Sequence, residues 1–329
     1  MNLLITGGAG FIGSLLARTL LAQGTLGGQR FERLVLADRV APSEDLLADG
    51  RVRAAVGPLL GQGDDIARAR YDAVFHLASA VSAECEADFE LGLRSNLDST
   101  RVLLEALRAA GNGPRLVFAS SAAVFGGDPP SLPLPSLVED RTLPTPQTSY
   151  GTQKLMLEQL IADFTRKGFL DGRAVRLLTV SVRPGRPNGA ASGFLSGIVR
   201  EPLAGNASVC PVAPDTRVAL ASPARTIEAL LRVYAASREE LGGRSALNLP
   251  ALSVQVSDML RALEAVAGAA ARALVRFEPD PRVERIVSTW PARFHSQRAE
   301  RLGLTPDPSF ESVIEQYIAD HPKAVELRR

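Results

Sequence analysis

A buried strand that leads directly into a glycine-rich turn constrains this chain more than any other feature. An apolar run at residues 3–5 is followed by Thr6-Gly-Gly-Ala-Gly-Phe-Ile-Gly13 and then by an apolar helix predicted for residues 14–23. Glycines in this spacing let the backbone turn sharply, approach a pyrophosphate and pack a helix on the strand, and the helix N-terminus offers unpaired N–H groups to phosphates. The glycines are Gly7, Gly10 and Gly13. The pattern predicts a dinucleotide-binding turn, although three glycines alone also suit an ordinary helix-capping turn.

An acidic residue at the end of the second predicted strand refines this expectation. The apolar run at residues 33–37 ends in Asp38. Its distance from the glycines suits a carboxylate that hydrogen-bonds an adenine-ribose 2′-hydroxyl, whereas the alternative is a surface aspartate without this role. Because the carboxylate would also repel a 2′-phosphate, NAD is favoured over NADP as the cofactor. Arg39, the next residue, would act in the opposite direction.

Composition excludes several classes of protein. The chain has 329 residues, 46% of them hydrophobic, and a formal net charge of +1. Because basic and acidic residues are mixed along it, we expect no nucleic acid and no anionic membrane surface as partners. No signal peptide or membrane-spanning run is predicted, so the expected location is cytoplasmic. Cys85 and Cys210 lack metal-ligand spacing, so we expect two free thiols and no bound metal.

Strands and helices alternate along most of the chain. This alternation predicts an α/β fold, a doubly wound parallel (Rossmann) sheet of about seven strands with a smaller C-terminal α/β region that binds substrate. We expect residues 1–182 with 215–249 to form the NAD-binding domain, and residues 183–214 with 250–329 to form the substrate-binding region. After the first two strands, further strands are predicted at 51–56, 71–78, 115–119, 173–182 and 246–249, and helices at 89–110, 195–203, 253–271 and 309–319.

The motif Tyr150-Gly-Thr-Gln-Lys154 is a candidate catalytic device. Residues four apart share one face of a helix, so the ammonium of Lys154 can lie near the phenol of Tyr150 and favour its ionised form. Residues 155–164 have helical apolar spacing, which predicts that the pair lies in the first turn of a long helix. Alone, the motif also occurs in helices without any catalytic role.

Polar residues also follow the predicted strands at the edge where ligands of parallel sheets bind. These residues are Ser79, Ser82, Ser120 and Ser121. His76 lies inside an apolar strand, where a packed and hydrogen-bonded histidine is a commoner arrangement than a catalytic base. A proline-rich connection at residues 128–147 either borders the active site or is a surface loop without substrate contact.

Taken in order, these motifs resemble the extended short-chain dehydrogenases/reductases, which include the NAD-dependent sugar epimerases and dehydratases. The resemblance covers essentially the whole chain and is carried by Gly7-x-x-Gly10-x-x-Gly13, His76-Leu-Ala-Ser79, Asn96-Leu-Asp98, Ser120-Ser-Ala-Ala-Val-Phe-Gly126, Tyr150-x-x-x-Lys154 and Arg183-Pro184. It implies that Ser121 polarises the substrate oxygen and that Tyr150 is the acid/base. It also implies that Lys154 holds the nicotinamide ribose and acidifies the phenol.

The resemblance also implies a set of cofactor-binding residues. One position departs from the family, because residues 56–60 read Val-Gly-Pro-Leu-Leu where an adenine-contacting aspartate is usual, so that Leu59 offers only its backbone. The implied set is Gly7, Gly10, Phe11, Ile12, Gly13, Asp38, Leu59, Leu77, Ala78, Ser79, Asn96, Tyr150, Lys154 and Pro184.

Within the family, the runs at residues 81–89, 169–172, 181–194, 200–205 and 278–281 resemble those of dehydrogenases that act on four-carbon sugar acids. Ser121 is followed by Ala122 and Ala123 where the dehydratases carry an acidic pair, so no acid is available there to expel water. The implied reaction is NAD-dependent oxidation of the C2 hydroxyl of a four-carbon 2-hydroxy acid. The alternatives are a nucleotide-sugar 4-epimerase with tightly bound NAD and an NAD-sensing regulator, although such regulators generally lose the Tyr–Lys pair.

The expected partner is therefore a small-molecule sugar acid, and a homodimer is left open. Its carboxylate requires hydrogen-bond donors and a cation, since a charge that is buried without partners costs several kcal/mol or more. Among the cations we favour Arg217 over Arg183, Arg186 and Arg200. The candidate substrate-binding residues are Ser82, Ser121, Tyr150, Asn188, Ser192 and Arg217.

Overall fold

The structure is a computed structural model that describes residues 1–185 and 191–327. Its strands are β1 (Asn2–Thr6), β2 (Thr25–Leu26), β3 (Gln29–Arg30), β4 (Arg33–Asp38), β5 (Val52–Val56), β6 (Ala73–His76), β7 (Arg115–Ser121), β8 (Asp171–Leu177), β9 (Thr179–Val180), β10 (Ser208–Cys210), β11 (Arg217–Ala221), β12 (Leu247–Asn248), β13 (Leu252–Gln255) and β14 (Val275–Phe277). Its α-helices are α1 (Phe11–Gln23), α2 (Glu44–Leu47), α3 (Gly63–Ala69), α4 (Ser82–Ala87), α5 (Phe89–Gly92), α6 (Ser99–Ala110), α7 (Ser149–Arg166), α8 (Phe194–Leu203), α9 (Pro223–Ala235), α10 (Val256–Ala273), α11 (Pro281–Val287), α12 (Gln297–Arg301) and α13 (Phe310–Asp320). A π-helical turn, Leu93–Asp98, joins α5 to α6.

A seven-stranded sheet forms the centre of the fold, in the order β12-β8-β7-β6-β1-β4-β5. The pairs β1 with β4, β1 with β6, β4 with β5 and β6 with β7 are all parallel. From β1 the chain first builds outward to β4 and β5, and then returns to the other side of β1 with β6. The reversal leaves a crevice at the carboxyl ends of β1 and β6, where ligands of such sheets bind. The predicted parallel sheet of about seven strands is confirmed.

Alternating side chains of the strands supply a core on each face of this sheet. On one face, apolar residues of α3, α6 and α7 pack in a common cluster with Leu4, Val74, Leu116 and Phe118. On the other face, the Phe75 ring of β6 lies 5.7 Å from the Tyr234 ring of α9. The sheet is therefore covered on both faces, as a doubly wound fold requires.

The chain divides into two compact units. Unit one comprises Met1–Ser121, Thr148–Arg176 and Ile227–Leu247, and unit two comprises Ala122–Gln147, Leu177–Thr226 and Asn248–Arg329. The predicted domains also interleave along the chain, but they assign residues 122–147, 177–182, 215–226 and 248–249 of unit two to the NAD-binding domain. The predicted domains are defined by what each one binds, whereas the two units are defined by compactness, so the domain boundaries remain a prediction.

Unit two has its own sheet and its own core. Strand β11 pairs in parallel with β9 and antiparallel with β13. Apolar residues of α8, α10 and α13 form one buried cluster with residues of these strands, including Val218, Leu220 and Val254.

None of the helices in the described part of the chain combines the length and apolarity needed to cross a bilayer.

Two predicted elements differ from the structure. Residues 173–182 are not one strand, because β8 ends at Leu177 and β9 pairs with β11 in the other sheet. The helix predicted for 253–271 begins only at Val256, since residues 252–255 pair with β11 as β13. In both cases a strand pairing with distant residues overrides the local pattern.

Candidate active site

Tyr150 and Lys154 lie in the first turns of helix α7, as predicted. The helix starts at Ser149 because the Thr148 hydroxyl accepts a hydrogen bond from the Gly151 N–H at 3.0 Å. A carboxylate oxygen of Glu86 in turn accepts from the Ser149 N–H at 2.6 Å. These two contacts fix where the helix begins and therefore where the phenol is placed.

Lys154 is a buried cation held by one strand carbonyl. Its Nζ donates to the Ala119 carbonyl oxygen at 2.8 Å and lies 4.8 Å from the centre of the Phe118 ring. The distance from Nζ to the centre of the Tyr150 ring is 5.4 Å. Burial lowers the pKa of Lys154 to about 7. The ammonium therefore carries its full charge only below neutral pH unless a further partner stabilises it.

Opposing effects act on the phenol of Tyr150. Burial raises its pKa to about 12, while hydrogen bonds from the Ser121 and Ser79 hydroxyls act to lower it. Donors to the phenolate oxygen favour the ionised form, which is the form that accepts a proton from an alcohol. The side chains of Ser79 and Ser121 thus lie near the Tyr150 phenol, and hydrogen bonds from them favour its ionisation.

The two adjacent serines at the end of β7 have different partners. Ser121 bonds Tyr150, whereas the Ser120 hydroxyl donates to Glu158 of α7 at 2.5 Å. Glu158 and Arg176 of β8 form a buried ion pair with an N–O distance of 2.7 Å. Since removing one member of a buried pair is strongly destabilising, this arrangement fixes β7 against α7 and so fixes the position of Ser121.

The glycine turn after β1 has the geometry that its sequence predicts. The N–H groups of Gly7 and Gly8 both donate to the Ala37 carbonyl, at 2.8 and 3.2 Å. Gly7 has a φ of +73°, and a Cβ on it would lie 2.8 Å from the backbone nitrogen of Ala78. A Cβ on Gly13 would overlap the Gly7 carbonyl oxygen. Only glycine fits these positions, and the result is an open backbone cradle at the N-terminus of α1.

Asp38 lies beside this cradle, at the end of β4. One carboxylate oxygen accepts from the Ala9 N–H at 3.0 Å, and the other accepts from the Arg39 N–H at 2.7 Å. The Asp38 carboxylate therefore stabilises the glycine turn through Ala9 and also places a negative charge next to it.

The sequence of this chain matches a known protein family. Residues 3–217 match the sequence model of the NAD dependent epimerase/dehydratase family. The chain belongs to that family. The resemblance inferred from its motifs is thereby confirmed.

Relatives in this family match the chain over nearly its whole length. The D-erythronate dehydrogenase of Cupriavidus necator is 50% identical over 328 residues, which cover 97% of this chain and 98% of the relative. The D-erythronate dehydrogenase of Haemophilus influenzae is 42% identical over 320 residues, which cover 97% of this chain and 99% of the relative. A solved structure from Agrobacterium tumefaciens, described as a nucleoside-diphosphate-sugar epimerase, is 42% identical with a TM-score of 0.91, and covers 98% of this chain and 95% of its own.

The chain is therefore an NAD-dependent dehydrogenase of the epimerase/dehydratase family that acts on a CH–OH group, and NAD is its cofactor. The residues present fit that cofactor. A Cβ on Gly7 or Gly13 would collide with the backbone of the turn, and a Cβ on the exposed Gly10 would meet only the Gly7 carbonyl oxygen, at 3.2 Å. The three glycines therefore keep the turn tight and leave the N-terminus of α1 open to a pyrophosphate. The Asp38 carboxylate lies at the side of the cradle where an adenine ribose requires an acceptor.

The remaining cofactor residues that the family resemblance implies in unit one lie at strand ends or helix starts. Phe11 and Ile12 open α1, and residues 77–79 directly follow β6. Leu59 is buried in a short 3₁₀ turn after Pro58. Asn96 is buried in the π-helical turn and accepts from the Ser79 hydroxyl at 3.0 Å. Their contacts with NAD remain predictions.

The remaining predicted cofactor- and substrate-binding residues lie at the start of α4, in unit two or outside the described residues. Ser82 is the first residue of α4. Pro184 and Ser192 lie in unit two, where the Ser192 hydroxyl accepts from the Arg183 guanidinium at 3.1 Å. Arg217 is exposed at the first residue of β11. Asn188 lies outside the described residues.

Sequence reasoning missed several buried polar side chains of unit one. Gln153, Glu158 and Arg176 are all buried. In the sequence, each of them could be recognised as a polar residue at a position that the apolar periodicity assigns to the core. The neighbouring sequence does not indicate which residue each one contacts.

His76 is buried and has a partner on each ring nitrogen, as expected for a packed histidine. Thr6 lies 2.6 Å from Nδ1 and Thr100 lies 2.7 Å from Nε2. The Thr100 hydroxyl donates to the Asn96 carbonyl at 2.6 Å, so it accepts from the ring. Burial, followed by the charge of Lys154, lowers the pKa of His76 to about 3. The ring is neutral near pH 7 and links β1, β6 and α6.

Proposed function

We propose that this protein catalyses the NAD-dependent oxidation of D-erythronate at its C2 hydroxyl, giving 2-keto-D-erythronate. The observation that carries the proposal is the identity of 50% and 42% with two D-erythronate dehydrogenases over nearly the full length of each chain. The arrangement of Ser121, Tyr150 and Lys154 supports it, since it supplies a base and a hydroxyl donor for an alcohol.

In the proposed mechanism, the Tyr150 phenolate accepts the proton of the C2 hydroxyl. The Ser121 hydroxyl donates a hydrogen bond to the same substrate oxygen and orients it. When bound, NAD supplies the acceptor for the hydride that leaves C2 as the carbon–oxygen double bond forms. The proton remains on Tyr150 until it passes to solvent, so one proton and one hydride leave the substrate together.

Lys154 has two proposed tasks in this scheme. Its ammonium holds the nicotinamide ribose, and its positive charge favours the phenolate of Tyr150 electrostatically. Its hydrogen bond to the Ala119 carbonyl keeps Nζ in place, 4.8 Å from the centre of the Phe118 ring. A ribose hydroxyl near Nζ would stabilise the charged form that burial disfavours.

We further propose that Arg217 meets the substrate carboxylate. Two of the three other candidate arginines already have partners, since Arg200 pairs with Glu201 at 2.6 Å and Arg183 donates to Ser192. The third, Arg186, lies outside the described residues. Arg217 is exposed and makes no ion pair with any residue that the structure describes. We expect Arg217→Met to raise KM for the acid about tenfold or more, equivalent to about 1.4 kcal/mol, without changing NAD affinity. An unchanged KM for the acid would indicate that hydroxyl and backbone N–H groups, and not Arg217, bind the substrate carboxylate.

The second candidate function is a nucleotide-sugar 4-epimerase. The observation in its favour is the Agrobacterium tumefaciens structure, which is described as a nucleoside-diphosphate-sugar epimerase. Such an enzyme would keep NAD tightly bound and show no net reduction of it. A homodimer and a cytoplasmic location remain predictions for either function.

One assay separates the two candidates. The purified protein is incubated with NAD and each of a set of four- to six-carbon aldonates, and the absorbance of the reduced cofactor is followed. We expect D-erythronate to give the highest kcat/KM. No reduction with any aldonate, together with interconversion of a nucleotide sugar, would reject the dehydrogenase proposal.

A further inference from the structure

A lysine ammonium is buried in unit one without an anion paired to it. Lys154 is 2% exposed. Its Nζ has three N–H groups, and in the described part of the chain one of them has an acceptor, the Ala119 carbonyl at 2.8 Å. No carboxylate among the described residues forms an ion pair with it. Because a buried ion without a partner tends to lose its charge, this ammonium needs a stabilising group that is not an anion.

The titratable groups around Lys154 do not supply a free anion near neutral pH. Glu158, one turn further along α7, is already engaged in the buried ion pair with β8. Burial raises the pKa of the Cys85 thiol on α4, so the thiol is protonated there. His76 on β6 is neutral because burial lowers its pKa to about 3, and the Tyr150 phenol is protonated because burial raises its pKa to about 12.

Two aromatic rings lie against the ammonium instead. Nζ of Lys154 lies over the Phe118 ring, 4.8 Å from its centre, and over the Tyr150 ring, 5.4 Å from its centre. Both distances are within the roughly 6 Å over which the negative face of a ring attracts a cation, and the attraction is stronger when the cation is desolvated. The Phe118 ring is the nearer of the two, and it does not titrate.

Phe118 is held in place by the packing of β7. Its side chain is fully buried, in the same apolar cluster as Leu116 of β7 and Leu157 of α7. Its ring also stacks on the His76 ring, with centres 5.6 Å apart and an angle of 26° between the planes. An aliphatic side chain would satisfy this core, as Leu116 does two residues earlier in the strand. An aromatic residue also provides a negatively charged face for Nζ of Lys154.

We propose that Phe118 is a positioning residue for the proposed dehydrogenase reaction, because the face of its ring binds the Lys154 ammonium and keeps it charged beside Tyr150. The proposal rests on the role of Lys154 in the proposed function. Phe118 acts through Lys154, since its own side chain is fully buried. The charged lysine then favours the Tyr150 phenolate and has N–H groups left for the hydroxyls of a ribose.

The lysine content of the chain provides a direct measurement of this charge. The chain has three lysines, of which Lys167 and Lys323 are exposed and Lys154 is buried. In protein with isotopically labelled lysine, NMR gives three signals, and the Lys154 signal is the one that Lys154→Met removes. Burial lowers the pKa of Lys154 to about 7, which lies in an accessible pH range. Neither NAD nor substrate is added, so a different substrate would revise the proposed function without affecting this measurement.

Fluorinated side chains at position 118 separate the charge of the ring from its packing. Phenylalanines with increasing numbers of ring fluorines, incorporated in place of Phe118, keep the ring while they weaken and then reverse the negative charge of its face. We expect the midpoint of the Lys154 titration to fall stepwise, by about one pH unit or more for the fully fluorinated ring. The same side chains at Phe75, which is fully buried on the other face of the sheet, are the matched control and should leave the midpoint unchanged.

A conventional variant and a kinetic measurement complete the test. Phe118→Leu should lower the Lys154 midpoint as well, and the fluorinated rings keep the test available if this variant fails to fold. With whichever sugar acid the parent oxidises, kcat/KM near pH 7 should fall in the same order as the midpoint, since fewer molecules carry the charged lysine. A midpoint that is constant along the fluorine series, or that moves equally with fluorination at Phe75, would overturn the proposal. A midpoint that moves while kcat/KM stays constant would remove the positioning role.

Discussion

In the proposed mechanism, Tyr150 is the side chain whose ionisation state matters most. Burial alone would keep its phenol protonated far above neutral pH, with a pKa of about 12. Two hydroxyl donors at the phenol oxygen act in the opposite direction, and a positive charge from bound NAD would add to their effect. We therefore expect the proton-accepting form of Tyr150 only where the hydroxyl donors and the cofactor are both in place.

Removal of the phenol hydroxyl should abolish most activity. We expect Tyr150→Phe to lower kcat by roughly a thousandfold, because the proposed general base is lost, with little change in NAD affinity. Tyr71→Phe is the matched control, since Tyr71 is buried in the core of unit one and has no proposed role in the reaction. Steady-state rates within tenfold of the parent would remove Tyr150 from the mechanism.

Cofactor choice should depend on the charge of Asp38. We expect Asp38→Ser to narrow the preference for NAD over NADP about tenfold or more, because the variant no longer repels a 2′-phosphate. Asp38→Asn retains an oxygen that can accept from Ala9 and isolates the effect of charge from the effect on the glycine turn. The ratio of kcat/KM for the two cofactors measures the preference. A parent enzyme that already prefers NADP would contradict this assignment.

Residues with a local chemical pattern could be found from the sequence, and residues with distant partners could not. Tyr150 and Asp38 stand at fixed spacings from other motif residues, so their type and position suffice to propose a role for each of them. Glu158 meets Arg176 and Gln153 meets Asn96 only after strands and helices pack. Their sequence positions say that something polar is buried, but the partner is a property of the assembled fold.

At the scale of elements, the glycine turn is the most demanding piece of backbone. Its conformation is held from both sides, by the Ala37 carbonyl and by the close approach of Ala78. A side chain at Gly13 would displace the Gly7 carbonyl, and the N–H groups at the start of α1 would lose the arrangement that suits a phosphate.

We therefore expect Gly13→Ala to weaken NAD binding by about a hundredfold or more while leaving the overall helix content unchanged. Gly61→Ala is the matched control, since a Cβ there meets no atom within 4 Å. Titration calorimetry with NAD and far-ultraviolet circular dichroism give the two readouts. An NAD affinity within threefold of the parent would show that the turn tolerates the methyl group.

Helices and strands could be predicted where a long segment has a single hydrophobic period. They could not be predicted where one segment contributes strands to two different sheets. The sequence at residues 173–182 predicts one strand, yet these residues divide between the central sheet and the sheet of β9, β11 and β13. The four residues of β13 are too few for alternation to stand out against the helix that follows. Pairing of distant strands decided both cases.

At the scale of the whole molecule, His76 should make stability depend on pH. Its pKa is about 3 in the folded protein and about 6.5 when exposed, so the unfolded chain binds one more proton between these values. The free energy of unfolding should therefore fall as pH falls below about 6.5, by about 2 kcal/mol from this group between pH 7 and pH 5.

The variant His76→Gln provides the comparison, because glutamine retains a donor and an acceptor but does not titrate. We expect it to be less stable than the parent at pH 7 and to lose less stability on going to pH 5. Denaturant unfolding at the two pH values measures both differences. Equal pH dependence in the two proteins would show that other groups dominate the acid response.

The order of segments along the chain has a consequence for synthesis. Each compact unit is made of three separate segments, and the edge strand β12, which pairs with β8, lies at Leu247–Asn248. A ribosome releases the chain from its N-terminus, so a nascent chain that already carries Gly7, Ser121 and Tyr150 still has β8 as an unpaired sheet edge. The candidate catalytic motifs thus emerge before the sheet that supports them is complete, and during that interval the edge of β8 exposes unpaired N–H and C=O groups that another chain can pair with.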